Sequence, residues 1–336
     1  MSHRFNRLAA SLVLAACANL AHAAGFALVE QNVSGLGNAY AGQAAAATDA
    51  STIFFNPAGM TYLPDRQVVV AGHLIRPQAE FSGTVNPDIG GGNGGDAGDL
   101  ALVPNAYLVY RLTPDIYLGV GLNAPFGLKT EYDSDWKGRT QAIKSEVKMV
   151  NLNPSIAWKA GDVGFSAAAM LNSPVNAYIT LPDSASLSLF HKLDSRWDLL
   201  ADITWTGWSD FRELRIVRTN GDVLGTPTEE NWSDSYRYSL GANYHLNDKL
   251  TLRGGLAFDE TPVSDAFRTA RIPDEDRTWI AFGAQYRLSR KSAIDVGYAH
   301  LFIRDAAIDK AENGVTLAGN YEASVDILSA QLTLGF

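Results

Sequence analysis

From Arg66 to the C-terminus, apolar and polar side chains alternate with a period of two. In the run from Tyr236 to Leu246, one face carries Tyr236, Tyr238, Leu240, Ala242, Tyr244 and Leu246, and the other Arg237, Ser239, Gly241, Asn243 and His245. Leu250 to Phe258 and Ile280 to Leu288 repeat the split, with Arg253 and Arg287 on the minor face. A helix would scatter both sets, so the pattern predicts strands. Twelve candidates follow, centred near Val69, Ala106, Gly119, Leu152, Ser166, Ser186, Ala201, Leu240, Gly254, Phe282, Val296 and Ala330. Alternation alone suits a soluble sandwich as well as a membrane barrel.

The joints between strands separate the two. Short ones fall at Thr113 to Asp115, Lys159 to Asp162, Leu193 to Ser195, Leu246 to Asp248 and Ser289 to Ser292. Long ones fall between them, at Gln78 to Asp99, Gly127 to Gln141, Arg218 to Ser233, Asp259 to Asp276 and Asp305 to Glu322. Periplasmic turns on one side and extracellular loops on the other produce this asymmetry in outer-membrane barrels. Past the leader, no stretch is apolar for the roughly 18 residues a transmembrane helix needs, so a spanning chain must be a closed barrel. One joint departs from the rule: only Asn172 to Asn176 precedes the strand expected over Tyr178 to His191, which predicts a missing loop or a missing hairpin. The even strand count puts both chain ends on the periplasmic side. Tyr107, Tyr110, Tyr117, Trp158, Trp197, Trp205, Trp208 and Tyr286, near strand ends, together suggest an aromatic girdle.

The first residues read as an export leader, with Arg4 and Arg7 before an apolar run from Leu8 to Ala18 and then Ala21-His22-Ala23. Cleavage after Ala23 gives a leader of residues 1–23; Leu14-Ala15-Ala16-Cys17 also fits lipidation at Cys17, and both remain open. Residues 24–65 are rich in Ala and Gly and unlike the rest, and they read as a hatch filling the pore walled by residues 66–336. Within them, Asn56 can cap a turn with its side chain, and Pro57 suits the first helical position because its missing N–H has no partner there. Taken alone, the same stretch also reads as an ordinary loop corner.

Composition narrows the function. The chain has 27 Lys and Arg against 36 Asp and Glu, net charge −9; without Arg4 and Arg7 the body is at −11. An acidic exported chain with no basic cluster argues against nucleic acid as a partner. Its single cysteine, Cys17, lies in the leader, so disulfides are excluded. The six histidines show no metal-ligand spacing, no cofactor is implied, and no Ser, His and acid trio announces a catalytic site. Gly35-Leu36-Gly37 has neither the spacing nor the preceding strand of a dinucleotide fingerprint. Gly90 to Asp96 reads as a flexible outer loop.

Several blocks carry a family resemblance. Ala24-Gly25-Phe26, Asn56-Pro57-Ala58, Ala124 to Leu128, Leu181 to Ala185, Arg196-Trp197 with Thr204 to Thr206, Asp259 to Pro262, Arg271 to Asp274 with Arg277 to Trp279, Asp295 to Phe302 and Ser324 to Ser329 span nearly the whole body. Together they resemble the FadL-type outer-membrane channels, which carry long-chain fatty acids and, in some members, aromatic hydrocarbons. The resemblance implies a monomeric antiparallel β-barrel with a lumenal hatch, in contact with outer-membrane lipid. Leu332 to Phe336 resembles the C-terminal signal that the barrel-assembly machinery recognises, with Phe336 last. On the family pattern Phe26 reaches an apolar pocket, Asn56, Pro57 and Ala58 hold the hatch, and cargo leaves through a gap in the wall beside a bent third strand. Gly119, Gly121 and Pro125 are the residues that would weaken that ladder. Family members usually have fourteen strands; this chain reads as about twelve, with the loss at Asn172 to Asn176. Such a loss narrows the barrel and merges or removes the two outer loops that form the first, weak substrate site in the family.

Candidate site residues are therefore Phe26, Arg237 and Arg277. Arg237, Arg253 and Arg287 share the lumen phase of three consecutive strands, and Arg237 and Arg277 lie nearer the loops. Either could pair with a fatty-acid carboxylate; either could instead pair with lumen acids such as Asp202 or Asp259 and line the wall. The reading is passive uptake of hydrophobic molecules, most readily long-chain fatty acids, with aromatic hydrocarbons or alkanes, an open porin for polar solutes, and a lipid hydrolase as alternatives.

Overall fold

A computed structural model of the chain describes residues 25–161, 163–172, 177–178, 181–216 and 227–336. Twelve wall strands run in chain order: β1 (Arg66–Asn86), β2 (Ala101–Arg111), β3 (Ile116–Asn123), β4 (Asn151–Ala160), β5 (Val163–Ala168), β6 (Ser184–Lys192), β7 (Trp197–Thr206), β8 (Ser235–His245), β9 (Leu250–Asp259), β10 (Arg277–Arg287), β11 (Ser292–Ile303) and β12 (Val315–Gly335). Each of the twelve predicted centres falls on one of them. They form one antiparallel sheet in which strands adjacent in the chain pair, β5 and β6 excepted among the described residues, and β1 closes onto β12 from Gln67↔Gly335 to Asn86↔Thr316. Among the described residues β5 and β6 are its two free edges. This is the joint where a hairpin was expected to be missing; residues 173–176 of it lie outside the described residues.

Three boundaries differ from expectation. β6 begins at Ser184 rather than near Tyr178; Ala177–Tyr178 pairs instead with Arg215–Ile216 of an outer loop. The expected loops from Gln78 and before Glu322 are largely strand, because β1 and β12 stay paired beyond the wall and Ala306–Glu312 adds a third strand to them. Gly90 to Asp96 is packed rather than free: Arg139 donates to the Gly90 carbonyl at 2.8 Å, Lys137 N–H to the Gly92 carbonyl at 2.9 Å, and Gly94 lies against the Trp136 ring. That cap is held by Phe81, Tyr321 and the stacked pair Tyr132 and Trp136, 3.9 Å between centroids.

The two faces of the wall divide as the period requires. Leu240, Leu256, Phe282, Val296 and Leu328 are exposed on the outside, whereas Arg237, Ser239, Arg253, Asp295 and Gln331 are buried inside. Tyr110, Trp158, Trp197 and Tyr286 face outward in the expected girdle positions. Tyr107 and Tyr117 do not; they point inward and pack on the N-terminal segment, and Trp208 is buried in an outer loop. Spacing along a strand could not tell them apart, because a one-residue change of phase moves a ring to the other face. No helix among the described residues is long and apolar enough to cross a membrane.

Residues 25–65 occupy the inside of the wall as short turns: α1 (Val33–Leu36), α2 (Gln43–Ala46), α3 (Thr52–Phe55) and a 3₁₀ turn (Pro57–Tyr62). Helices of one turn have no intrinsic stability, so the wall supplies it. Asn105 donates to the Glu30 carbonyl at 2.8 Å and Tyr107 to the Gln31 carbonyl at 3.0 Å. Gln331 accepts from Val33 N–H at 2.9 Å and donates to Asp49 at 2.9 Å. Where the backbones touch the wall is glycine: a Cβ on Gly255 would stand 2.1 Å from the Asn38 carbonyl carbon, and one on Gly37 2.8 Å from the Gly283 Cα.

Candidate functional site

At the outer end of the lumen, Phe26 is buried in an aromatic cage. Its ring lies 4.8 Å from Trp208, 5.7 Å from Trp232 and 5.8 Å from both Phe211 and Phe126, centroid to centroid. Val263 and Ile272 complete the cluster. Its walls therefore come from the loops after β3, β7 and β9, elements far apart in sequence. Burying a ring of this size stabilises by roughly 1.5–3 kcal/mol, and each edge-on aromatic pair adds roughly 0.5–1.5 kcal/mol.

Two charged residues hold the chain just before Phe26. Gly25 N–H donates to Asp274 Oδ2 at 2.8 Å, and Arg277 Nη2 donates to the Gly25 carbonyl at 3.2 Å. Arg277 also pairs with Asp274 at 2.5 Å, and Thr261 donates to Asp274 Oδ2 at 2.6 Å. Arg237, Asp259 and Arg277 stand in one cross-strand row on β8, β9 and β10. Arg237 donates to the Ala39 carbonyl at 2.8 Å, lies 5.0 Å from the centroid of the Trp279 ring, and sits 3.9 Å from Asp259. Arg253 pairs with Asp295. Arg277 and Arg237 both act electrostatically on the buried Glu30. Both are engaged by acids or carbonyls, the partnering weighed in the sequence. In the loop beside Trp232, Glu230 accepts from its indole at 3.1 Å, and burial pushes this carboxyl up to about 7.

Strand pairing is interrupted beside the cage. Gly119 and Gly121 lie in unbroken pairing with both neighbours; their missing side chains make room for Met60, Ile53 and the Tyr107 ring. The ladder stops at Asn123, and the chain turns inward. Leu28 N–H donates to the Pro125 carbonyl at 2.8 Å, and Ala27 bridges Phe126. Ala101 to Asn105 of β2 consequently pair with β1 but with nothing on the β3 side among the described residues. On the inner side, Asn56 Oδ1 accepts from Ala58 N–H at 3.2 Å and its Nδ2 donates to the Ala44 carbonyl at 2.8 Å, with Pro57 at the first turn position. Asn56 thus caps one turn and ties it to another.

A sequence model of the outer membrane protein transport protein family (OMPP1/FadL/TodX) matches residues 14–173 and 160–336. The chain belongs to this family. It is 29% identical over 398 residues to the 47 kDa outer membrane protein of Pasteurella multocida, covering 89% of this chain and 92% of that one. It is 25% identical over 410 residues to the long-chain fatty acid transport protein of Salmonella typhi, covering 91% and 94%. A FadL homologue from Pseudomonas aeruginosa superposes with a TM-score of 0.83 at 20% identity, over 93% of this chain and 99% of that one. The FadL/TodX-type protein is an outer-membrane β-barrel with its N-terminal turns in the lumen.

Sequence reasoning singled out Phe26, Arg237 and Arg277, and the fold gathers Phe26 and Arg277 within one site. It missed Trp232 and Phe211 as partners of Phe26, and Asp274 as the partner of Gly25. Asp274 stood in a resembling block, Arg271 to Asp274, without a role; the cage residues carry no local signal, because three loops contribute them.

Proposed function

We propose that the protein admits hydrophobic molecules, long-chain fatty acids foremost, through the outer membrane. The observation that carries this reading is Phe26: the residue that begins the lumenal segment is itself the filling of an aromatic cage at the outer end. A greasy cargo entering that cage competes with Phe26 for the same surface, and each buried methylene contributes about 0.8 kcal/mol. Displacement of Phe26 then loosens residues 25–31 from Pro125 and Phe126, beside the unpaired edge of β2, which supports lateral release into the bilayer. Arg277, and Arg237 behind it, suit the carboxylate of a fatty acid once Asp274 yields one of its bonds. Filling of the lumen by residues 25–65 favours this gated path over steady aqueous conductance. In this reading residues 24–65 are the hatch, and Asn56, Pro57 and Ala58 its inner hinge.

The test is uptake of labelled oleate by a strain lacking the gene and complemented with wild-type or Phe26→Ala protein. Uptake restored by the wild type and changed severalfold by the substitution is expected. Normal uptake in the uncomplemented strain would sink the proposal.

A further inference from the structure

At the opposite, periplasmic end of the lumen, a cavity of about 680 Å³ lies between the N-terminal segment and the wall. Its volume falls within the range of small-ligand sites, roughly 300–1,000 Å³. Ala47, Thr48, Asp49 and Leu63 line it from the N-terminal segment, and the ends of β1, β10, β11 and β12 with the turns before β9 and β11 line it from the wall.

Its charge is the reverse of the protein's. Lys249, Arg287, Arg290 and Lys291 all line it, in a chain of net charge −9. None of the four side chains makes an ion pair or a side-chain hydrogen bond among the described residues, whereas most of the other arginines discussed above are engaged. The two acids at the cavity are Asp248 and Asp49. Asp49 is already committed, accepting from Ser51 at 2.6 Å and from Gln331 at 2.9 Å. Gln67 also lines the cavity; it is 6% exposed, and its amide oxygen has no partner. Four uncommitted cations converging on one concave surface focus a positive potential there. Beside them Leu63, Leu288 and Ala293 provide apolar surface.

We propose that this cavity is a second binding site, selective for the carboxylate of an amphiphile whose tail rests on Leu63, Leu288 and Ala293. Arg287 is on a lumen-phase position of β10, so the site faces the lumen mouth rather than surrounding lipid. It stands apart from the Phe26 cage and requires nothing of it.

A Ser289→Cys variant, substituted on the rim of the cavity, is labelled with an environment-sensitive fluorophore, with the protein in nanodiscs of phosphatidylcholine. Laurate is expected to give a saturable response and dodecanol none. The Lys249→Gln, Arg290→Gln, Lys291→Gln triple variant is expected to weaken laurate at least tenfold, as is a rise from 50 to 500 mM salt in the wild type. These side chains are exposed on turns, and heat-modifiable gel mobility verifies that the triple variant folds. Equal responses to laurate and dodecanol, or undiminished laurate affinity in the folded triple variant, would overturn the proposal. So would a response produced by phosphatidylglycerol nanodiscs alone and insensitive to laurate, since the cations would then be reading lipid phosphate.

Discussion

Arg277 and Gly25, 252 residues apart in the chain, are joined by a hydrogen bond of 3.2 Å, and Asp274 takes the Gly25 N–H on the other side. One acid and one base thereby hold both polar groups of a single glycine. The clamp sits immediately before the residue that fills the aromatic cage, so the displacement of Phe26 proposed above has to break it.

Substituting Asp274→Asn removes the negative charge from this clamp while keeping its shape, and leaves Arg277 without its ion-pair partner. Bonds to charged groups are worth about 1.5–3 kcal/mol. Hydrogen exchange at residues 25–28 is expected to speed up at least tenfold, with heat-modifiable gel mobility of the barrel unchanged. Unaltered exchange would mean the aromatic cage alone retains the N-terminus.

At Gly255 the wall is in contact with the Asn38 backbone. A methyl there cannot fit without displacement, and overpacking of this kind costs about 1–3 kcal/mol. Gly255→Ala is expected to lift the segment around Asn38 and produce flickering ion conductance in planar bilayers that the wild type lacks. A silent variant would show that the segment is not pressed against β9.

Asn56 acts with both ends of its amide, on Ala58 and on Ala44. Asn56→Ala loses both bonds, a local cost of about 1–2 kcal/mol. Asn56→Asp keeps the acceptor for Ala58 and loses the donor to Ala44. Exchange is therefore expected to rise over residues 43–62 in the alanine variant and mainly over residues 43–47 in the aspartate variant.

Glu230 is buried in an outer loop, with Trp232 donating to it and Lys310, Arg271 and Glu312 acting on it electrostatically. Its carboxyl is raised from 4.5 to about 7. Below the ordinary value both folded and unfolded forms are protonated, and its burial costs nothing in charge. As pH rises through about 7 the folded loop must ionise a buried acid, so the stability present at low pH is lost, on the order of 3 kcal/mol at most. Limited proteolysis of the loop is expected to quicken between pH 5 and 8 in the wild type. Glu230→Gln should flatten that dependence, and an equally steep profile in the variant would assign the effect to another group.

All twelve wall strands were legible in the sequence, because a strand with lipid on one face and a packed lumen on the other must alternate. The alternation of short and long joints oriented them. The family blocks identified the lumenal segment, and the broken joint near Asn172 marked the edge where β5 and β6 do not pair with each other among the described residues. The extension of β1 and β12 beyond the wall was not legible. There Phe81 and Tyr321 pack on the Tyr132–Trp136 stack, while the alternate positions Glu80, Ser82 and Thr84 are polar and exposed, so the apolar outer face that marks a wall strand is missing.

What the sequence by itself determined is therefore whatever a local period or a motif can encode: the strands, their facing, the turn at Asn56 and the place of Phe26 at the head of the segment. Tertiary structure alone decided which rings surround Phe26, which acid clamps Gly25, and that Lys249 meets the Arg287, Arg290 and Lys291 turn at the periplasmic mouth. Those partners lie far apart along the chain. Their meeting depends on how the sheet curves and where its backbone lets the lumenal segment approach, and neither leaves a mark on neighbouring residues in sequence.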